Sequence, residues 1–165
     1  NPCLLALSML NANKHGFFPY TPATNLLYGL QESILMLLEE GLDQVFSRHS
    51  RLAEATRAAV QAWGLELNAL NKSEYSNSLT AVLLPQGHDA DAFRKEVLEC
   101  FNVSLGNGLG RLNGKVFRIG HLGDLNEPML LGTLGAIEMG LELAKIPHRP
   151  EGVRAAMSNL IENNR

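Results

Sequence analysis

The sequence predicts an α+β fold: a small, mostly antiparallel sheet with helices packed on one face, preceded by a long helix. Two long amphipathic helical periods stand early in the chain. Short segments of period two follow them. The order helix, helix, strand, strand, helix, strand, strand, helix, helix lacks the regular alternation of a doubly wound parallel sheet.

Residues 11–23 read as a loop, because Gly16, Pro19 and Pro22 interrupt any period. A long helix follows, with Leu27, Leu30, Ile34, Leu37 and Leu38 on one stripe and Gly41 as its stop. The next helix is expected from Asp43 to Trp63. Its stripe is Val45, Phe46, His49, Leu52, Thr56, Ala59, Val60 and Trp63, and Gly64 ends it. Neither helix buries its stripe alone, so the two need a partner surface.

After Gly64 the period becomes two. Leu65 and Leu67 alternate with Glu66 and Asn68, and Leu79–Leu84 is a stronger strand between Asn77-Ser78 and Pro85. A helix over 89–101 carries Ala90, Phe93, Val97, Leu98 and Phe101 on one face. Two more strands, Val103–Leu105 and Lys115–Gly120, flank a glycine-rich connection. Asn126 is the expected N-cap of a helix with Pro128 in its first turn and Leu130, Leu134, Ile137 and Leu141 inward. A last helix from Pro150 should bury Val153, Met157 and Leu160. Residues 1–23 are set apart as an N-terminal segment and loop, and 24–165 as the small domain.

Composition narrows the function classes. The 165 residues are 45% hydrophobic and 19% charged, within the globular range. A net charge of −3 speaks against a strongly electrostatic nucleic-acid binder. No apolar run reaches the length of a membrane span. The two cysteines, Cys3 and Cys100, make no disulfide framework, so a reducing, cytoplasmic setting is expected. The chain opens on Asn1-Pro2-Cys3 without a basic n-region, which fits a processed or truncated chain better than a signal peptide.

The glycine-rich stretch 106–114 has Arg111 where a dinucleotide fingerprint needs glycine, and it lacks Gly-Lys-Ser/Thr. It reads as a loop between strands, or as a loop approaching a ligand or a neighbouring domain. None of the five histidines pairs at i, i+4. His49 falls on an apolar stripe and reads as a satisfied core or interface residue. His121 follows a strand and reads as a sheet-edge residue near a site. No Gly-x-Ser-x-Gly elbow is present.

Arg118 is the most informative residue. In Lys115-Val116-Phe117-Arg118-Ile119-Gly120 side chains alternate faces. If Phe117 and Ile119 enter the core, Val116, Arg118 and Gly120 point the other way. A guanidinium in mid-strand needs an anion, and its flat fork suits a carboxylate. The readings open at this point are a structural ion pair, an exposed arginine, and a carboxylate-binding residue.

The segment Gly108-Leu109-Gly110, then Gly114-Lys115-Val116-Phe117-Arg118-Ile119-Gly120-His121-Leu122-Gly123, resembles the C-terminal domain of class V aminotransferases, nearest the serine–glyoxylate and alanine–glyoxylate group. The stretch 20–33, Tyr20-Thr21-Pro22 leading into the linking helix, resembles the same family. The similarity runs in order over nearly the whole chain.

The resemblance implies the small domain of a fold-type I pyridoxal 5'-phosphate enzyme, acting as a homodimer on small amino acids and 2-oxo acids, with no nucleic-acid or membrane partner. It assigns substrate α-carboxylate binding to Arg118. It assigns Thr21 to the cofactor phosphate of the neighbouring subunit. Phe18 and Tyr20 are the candidates for an aromatic residue that shares that task, and Phe18 has no hydroxyl. None of the chain's lysines, Lys14, Lys72, Lys95, Lys115 and Lys145, stands in the family's Ser-x-x-Lys setting. The resemblance therefore implies a catalytic lysine upstream, residues 1–23 trailing from the large domain, and no activity in this chain alone. The rival readings are another class V chemistry, a lyase or desulfurase, or a non-catalytic α+β dimerisation or carboxylate-binding module. A desulfurase would need a reactive cysteine on a flexible loop.

Overall fold

The computed structural model describes residues 2–163, with the side chains of residues 4–163. The chain divides into two compact units, Asn1–Leu42 and Asp43–Arg165.

The first unit holds helices α1 (Pro2–Asn13) and α2 (Thr24–Glu40). The helix α1 extends into the segment expected to be a loop. Its apolar run Leu4–Leu10 has no breaker before Gly16, so the backbone hydrogen-bond ladder continues through Asn13. The linking helix α2 has the expected span and stop, but it buries none of its residues. Leu27, Leu30 and Ile34, on the expected stripe, are all exposed.

The second unit begins with α3 (Leu42–Trp63). Its end is a Schellman-type closure: Gly64, at φ 80, is followed by Leu65, whose N–H donates to the carbonyl of Val60 (3.1 Å). Then come β1 (Glu66–Leu67), β2 (Leu79–Leu83), α4 (Ala90–Phe101), β3 (Gly106–Asn107), β4 (Val116–Gly120), α5 (Glu127–Leu143) and α6 (Gly152–Glu162). The strands form one antiparallel sheet in the order β1-β2-β4-β3. This is the α+β arrangement expected from the sequence.

Alternation decides what covers the sheet. Val82, Phe117 and Ile119 share one face and join one buried cluster with Leu52 and Val60 of α3, Phe93 and Val97 of α4, Leu134 and Ile137 of α5, and Leu160 of α6. Phe93 and Phe117 meet with ring centroids 5.0 Å apart in a tilted arrangement favourable to their quadrupoles. Each such fully buried side chain is worth roughly 1.5–3 kcal/mol.

Five local expectations are corrected. The third strand is Gly106–Asn107 rather than 103–105: Leu105 turns into the core, and its carbonyl accepts a hydrogen bond from Arg94 Nε (2.8 Å), which takes it out of the ladder. Phe46 is 63% exposed, while its neighbour Val45 is buried, so the buried face of α3 runs through Val45, His49 and Leu52 and leaves Phe46 outside it. Met157 and Leu98 also face outward, while Ala156 and Leu160 supply the buried contacts of α6. The last helix starts at Gly152, not Pro150, because its N-terminal amides are capped from another element.

That cap is Glu138 of α5. Its Oε2 accepts from Trp63 Nε1 (2.6 Å), Gly152 N (2.9 Å) and Val153 N (3.2 Å). One carboxylate oxygen thus ties α3, α5 and α6 together, at the end of α6 where the helix dipole favours negative charge. No described helix is long and apolar enough to cross a membrane.

Glu138→Ala should lower stability by about 2–3 kcal/mol, since it orphans a buried indole N–H and two helix amides. Glu138→Gln, which keeps an acceptor oxygen, should lose less. Denaturant midpoints of the two variants check this, and equal losses would contradict it.

Candidate functional site

The site is built on β4. Its register places Arg118 between Ala81 of β2 and Gly106 of β3, with Leu83 and Val116 paired on the same face. Phe117 and Ile119 are fully buried on the opposite face, and Arg118 is half-buried. The expected alternation is therefore present. Arg118 makes no ion pair or hydrogen bond with any described residue, and its Nε is buried without a partner. The structural ion-pair reading does not apply within the described residues. A depression of about 210 Å³ on the β1–β2 side, lined by Arg57, Tyr75, Thr80 and Ala81 among others, does not include Arg118.

The exit of β4 is clamped onto α3. Arg48 Nη1 donates to the carbonyls of Gly123 (2.8 Å) and Leu125 (3.1 Å). Arg51 pairs with Glu127 at the start of α5. The Glu127 carboxyl is held below its ordinary value by its own backbone N–H and by Arg51. His49 Nδ1 faces the Val45 carbonyl (2.7 Å), which can only accept, so that nitrogen carries the proton. Its Nε2 then accepts from the Gly123 N–H (3.0 Å). His49 is a satisfied core histidine, as the sequence pattern indicated.

His121 departs from the sheet-edge reading. It is fully buried, with Nδ1–H donating to the Asn77 carbonyl (3.1 Å) and Nε2 accepting from the Thr80 hydroxyl (2.9 Å). Burial, aided by Arg57 and His49, outweighs the Asn77 carbonyl and lowers its pKa to about 4. It is a structural pin, neutral at physiological pH, with no ring nitrogen left for a ligand.

Thr21 lies in the first unit, exposed in the irregular segment 21–23 that leads into α2, and no described residue takes its hydroxyl. Tyr20 is exposed and its hydroxyl donates to Met9 Sδ (3.5 Å); Phe18 is exposed. Cys100 is exposed in the last turn of α4, on a helix rather than a flexible loop, and the thiol of Cys3 lies outside the described residues. The lysines Lys14, Lys72, Lys95, Lys115 and Lys145 are all exposed.

Sequence reasoning missed the two small residues beside Arg118. Ala81 and Gly106 become its neighbours only through strand register, and the sequence pattern places Gly106 in the glycine-rich connection rather than in a strand.

Comparison with known proteins bears on this arrangement. The chain is 51% identical over 143 residues to a serine–glyoxylate aminotransferase of Hyphomicrobium methylovorum, covering 86% of this chain and 35% of that protein. It is 49% identical over 152 residues to one of Methylorubrum extorquens, covering 92% of this chain and 38% of that protein. The chain belongs to the class V aminotransferases. It matches the C-terminal domain of the family and spans little more than a third of these curated relatives, 35% and 38%.

Solved class V aminotransferases share the fold. Ureidoglycine–glyoxylate aminotransferase of Bacillus subtilis superposes with a TM-score of 0.83 at 30% identity, over 93% of this chain and 40% of that one. Pyridoxamine–pyruvate aminotransferase of Mesorhizobium loti gives 0.82 at 33% identity, over 90% and 38%. No protein-family model matches the chain.

The buried, neutral His121 sets a pH dependence. The unfolded chain takes up a proton near the ordinary histidine value of 6.5, and the folded one resists it down to about 4. Its contribution is therefore complete above about pH 6.5 and declines as pH falls toward 4, by on the order of 3 kcal/mol in all. Unfolding midpoints between pH 7.5 and 4.5 should show this decline, and His121→Gln should flatten it. An unchanged slope in the variant would contradict the assignment.

Proposed function

We propose that this chain is the C-terminal part of a pyridoxal-phosphate-dependent aminotransferase that moves the amino group of serine or alanine to glyoxylate or another small 2-oxo acid. The carrying observation is Arg118: a half-buried guanidinium on the central strand, aimed away from the core, with no anion among the described residues to pair with it. Desolvating such a group is costly unless a ligand completes it, and a planar fork on a rigid strand is suited to a carboxylate. The names of the relatives support the choice of glyoxylate as acceptor. A relative from Paracoccus denitrificans, 43% identical, is named for aspartate as donor, so the donor is the looser half of the reading.

The described residues fit the cofactor in one respect. Thr21 offers an exposed hydroxyl that no described residue occupies, the kind of donor a phosphate oxygen accepts. Thr21 would hold the phosphate of the neighbouring subunit's cofactor in a homodimer, with Tyr20 and Phe18 nearby in sequence. The apolar, exposed length of α2 supports a place inside a larger assembly. When bound, pyridoxal phosphate supplies the electron sink for the reaction. The lysine that would hold it belongs, on this reading, to the larger part of the relatives that this chain does not span.

Arg118 then performs two tasks. It binds the α-carboxylate through two parallel hydrogen bonds, and it sets the direction in which the amino group and the Cα–H bond are presented. Because Phe117 and Ile119 lock the strand on either side, the fork has a rigid base.

In the full-length enzyme Arg118→Ala should reduce kcat/KM for amino-acid substrates by about 10²–10⁴-fold, the equivalent of roughly 3–5 kcal/mol. Cofactor absorbance should be retained. Arg118→Lys should recover only part of the loss, since a point charge cannot reproduce the fork. Near-normal turnover by the alanine variant would overturn the reading.

Thr21→Ala should weaken cofactor retention by roughly 1.5–3 kcal/mol, the worth of a hydrogen bond to a charged group. Dialysis against cofactor-free buffer followed by spectrophotometric titration measures it. Unchanged affinity would remove Thr21 from the phosphate site.

A further inference from the structure

Within the glycine-rich stretch, the glycines are required for different reasons. Gly110 and Gly114 take φ of +55 and +70, where a side chain strains the backbone. Gly108 has no room: a Cβ there would stand 2.0 Å from the Leu112 carbonyl oxygen, which is backbone and cannot yield. Gly106 differs from all of these. Its φ lies outside the left-handed region, so the conformation is open to any residue. What a Cβ at Gly106 would meet is Arg118: its Cβ at 3.1 Å, its Nε at 3.1 Å and its Cζ at 3.5 Å.

The guanidinium therefore lies across the space that a side chain at position 106 would fill. Gly106 is also the cross-strand partner of Arg118, and Ala81, with a single methyl, stands opposite on β2. No polar group among the described residues fixes Arg118, and its Nε is buried without a partner. Packing against these small neighbours is what orients it.

We propose that Gly106 is a positioning residue for Arg118, holding open the space in which the arginine aims its fork at the substrate carboxylate. The inference rests on the carboxylate reading above. A methyl group at position 106 asks for a few tenths of an ångström from the Arg118 Cβ, which moves only with β4, and from the Nε and Cζ, which swing freely. The guanidinium takes the larger displacement, so recognition should suffer more than the fold. A bidentate contact tolerates little displacement.

The experiment compares full-length Gly106→Ala, Gly106→Val, Arg118→Ala and the Gly106→Ala/Arg118→Ala double variant. Gly106→Ala should lower kcat/KM for amino-acid substrates about tenfold, chiefly through KM, and Gly106→Val should lower it further. The thermal midpoint and cofactor spectrum of Gly106→Ala should match those of the parent. A primary amine lacking the carboxylate should be turned over equally by parent and Gly106→Ala. On the Arg118→Ala background Gly106→Ala should add nothing.

If Arg118→Ala is impaired and Gly106→Ala is normal, the positioning role is overturned and the carboxylate reading stands. If Gly106→Ala loses stability, slows the carboxylate-free amine, or adds its full effect on the Arg118→Ala background, its role is structural and the inference fails. If Arg118→Ala is itself near normal, the carboxylate reading fails and this inference with it.

Discussion

The second unit depends on one constraint, the two-residue alternation of β4. Hydrogen-bonded on both sides, to β2 and to β3, this strand cannot slip without moving every side chain to the other face. Phe117 and Ile119 are wholly buried among residues of α3, α4, α5 and α6, so a slip would expose two large apolar groups and bury a charge. The direction of Arg118 is the necessary complement of that burial. The same hydrophobic driving force that assembles the core aims the guanidinium away from it.

Holding the strand in register is not enough to hold its end. The segment after Gly120 leaves the sheet, and its backbone groups need partners. Arg48 and His49 of α3 satisfy those of Gly123 and Leu125, while Arg51 holds Glu127 at the start of α5. His121 fills the corner as a neutral ring between Asn77 and Thr80. Glu138 gathers Trp63 and the first amides of α6. The polar groups that matter most here join elements distant in sequence, which stiffens the base on which Arg118 stands.

The motif resemblance read in the sequence and the geometry of β4 both point to Arg118 as the proposed carboxylate residue. The first is the likeness of the segment 114–123 to the family's pattern. The second is the electrostatic incompleteness of a half-buried arginine without an anion in its own unit. Their agreement on Arg118 gives the proposed carboxylate role its weight.

The sequence by itself determined the elements whose signals are local. Helical periods placed α2, α3, α4 and α5 within a residue or two, Gly64 and Asn126 marked helix ends through φ and side-chain capping, and period two placed Arg118 across the strand from Phe117 and Ile119. Only the tertiary structure decided the rest. A period shows which residues share a face but not whether anything covers it, so α2 keeps an exposed stripe and Phe46 and Met157 point outward. The strand at Gly106–Asn107 exists because β4 pairs with it and Arg94 claims the Leu105 carbonyl, neither of which propensity encodes. The neighbours of Arg118 follow from register between strands many residues apart in the chain. Burial, register and the pairing of distant polar groups are properties of two surfaces meeting, and a linear pattern carries information about only one of them.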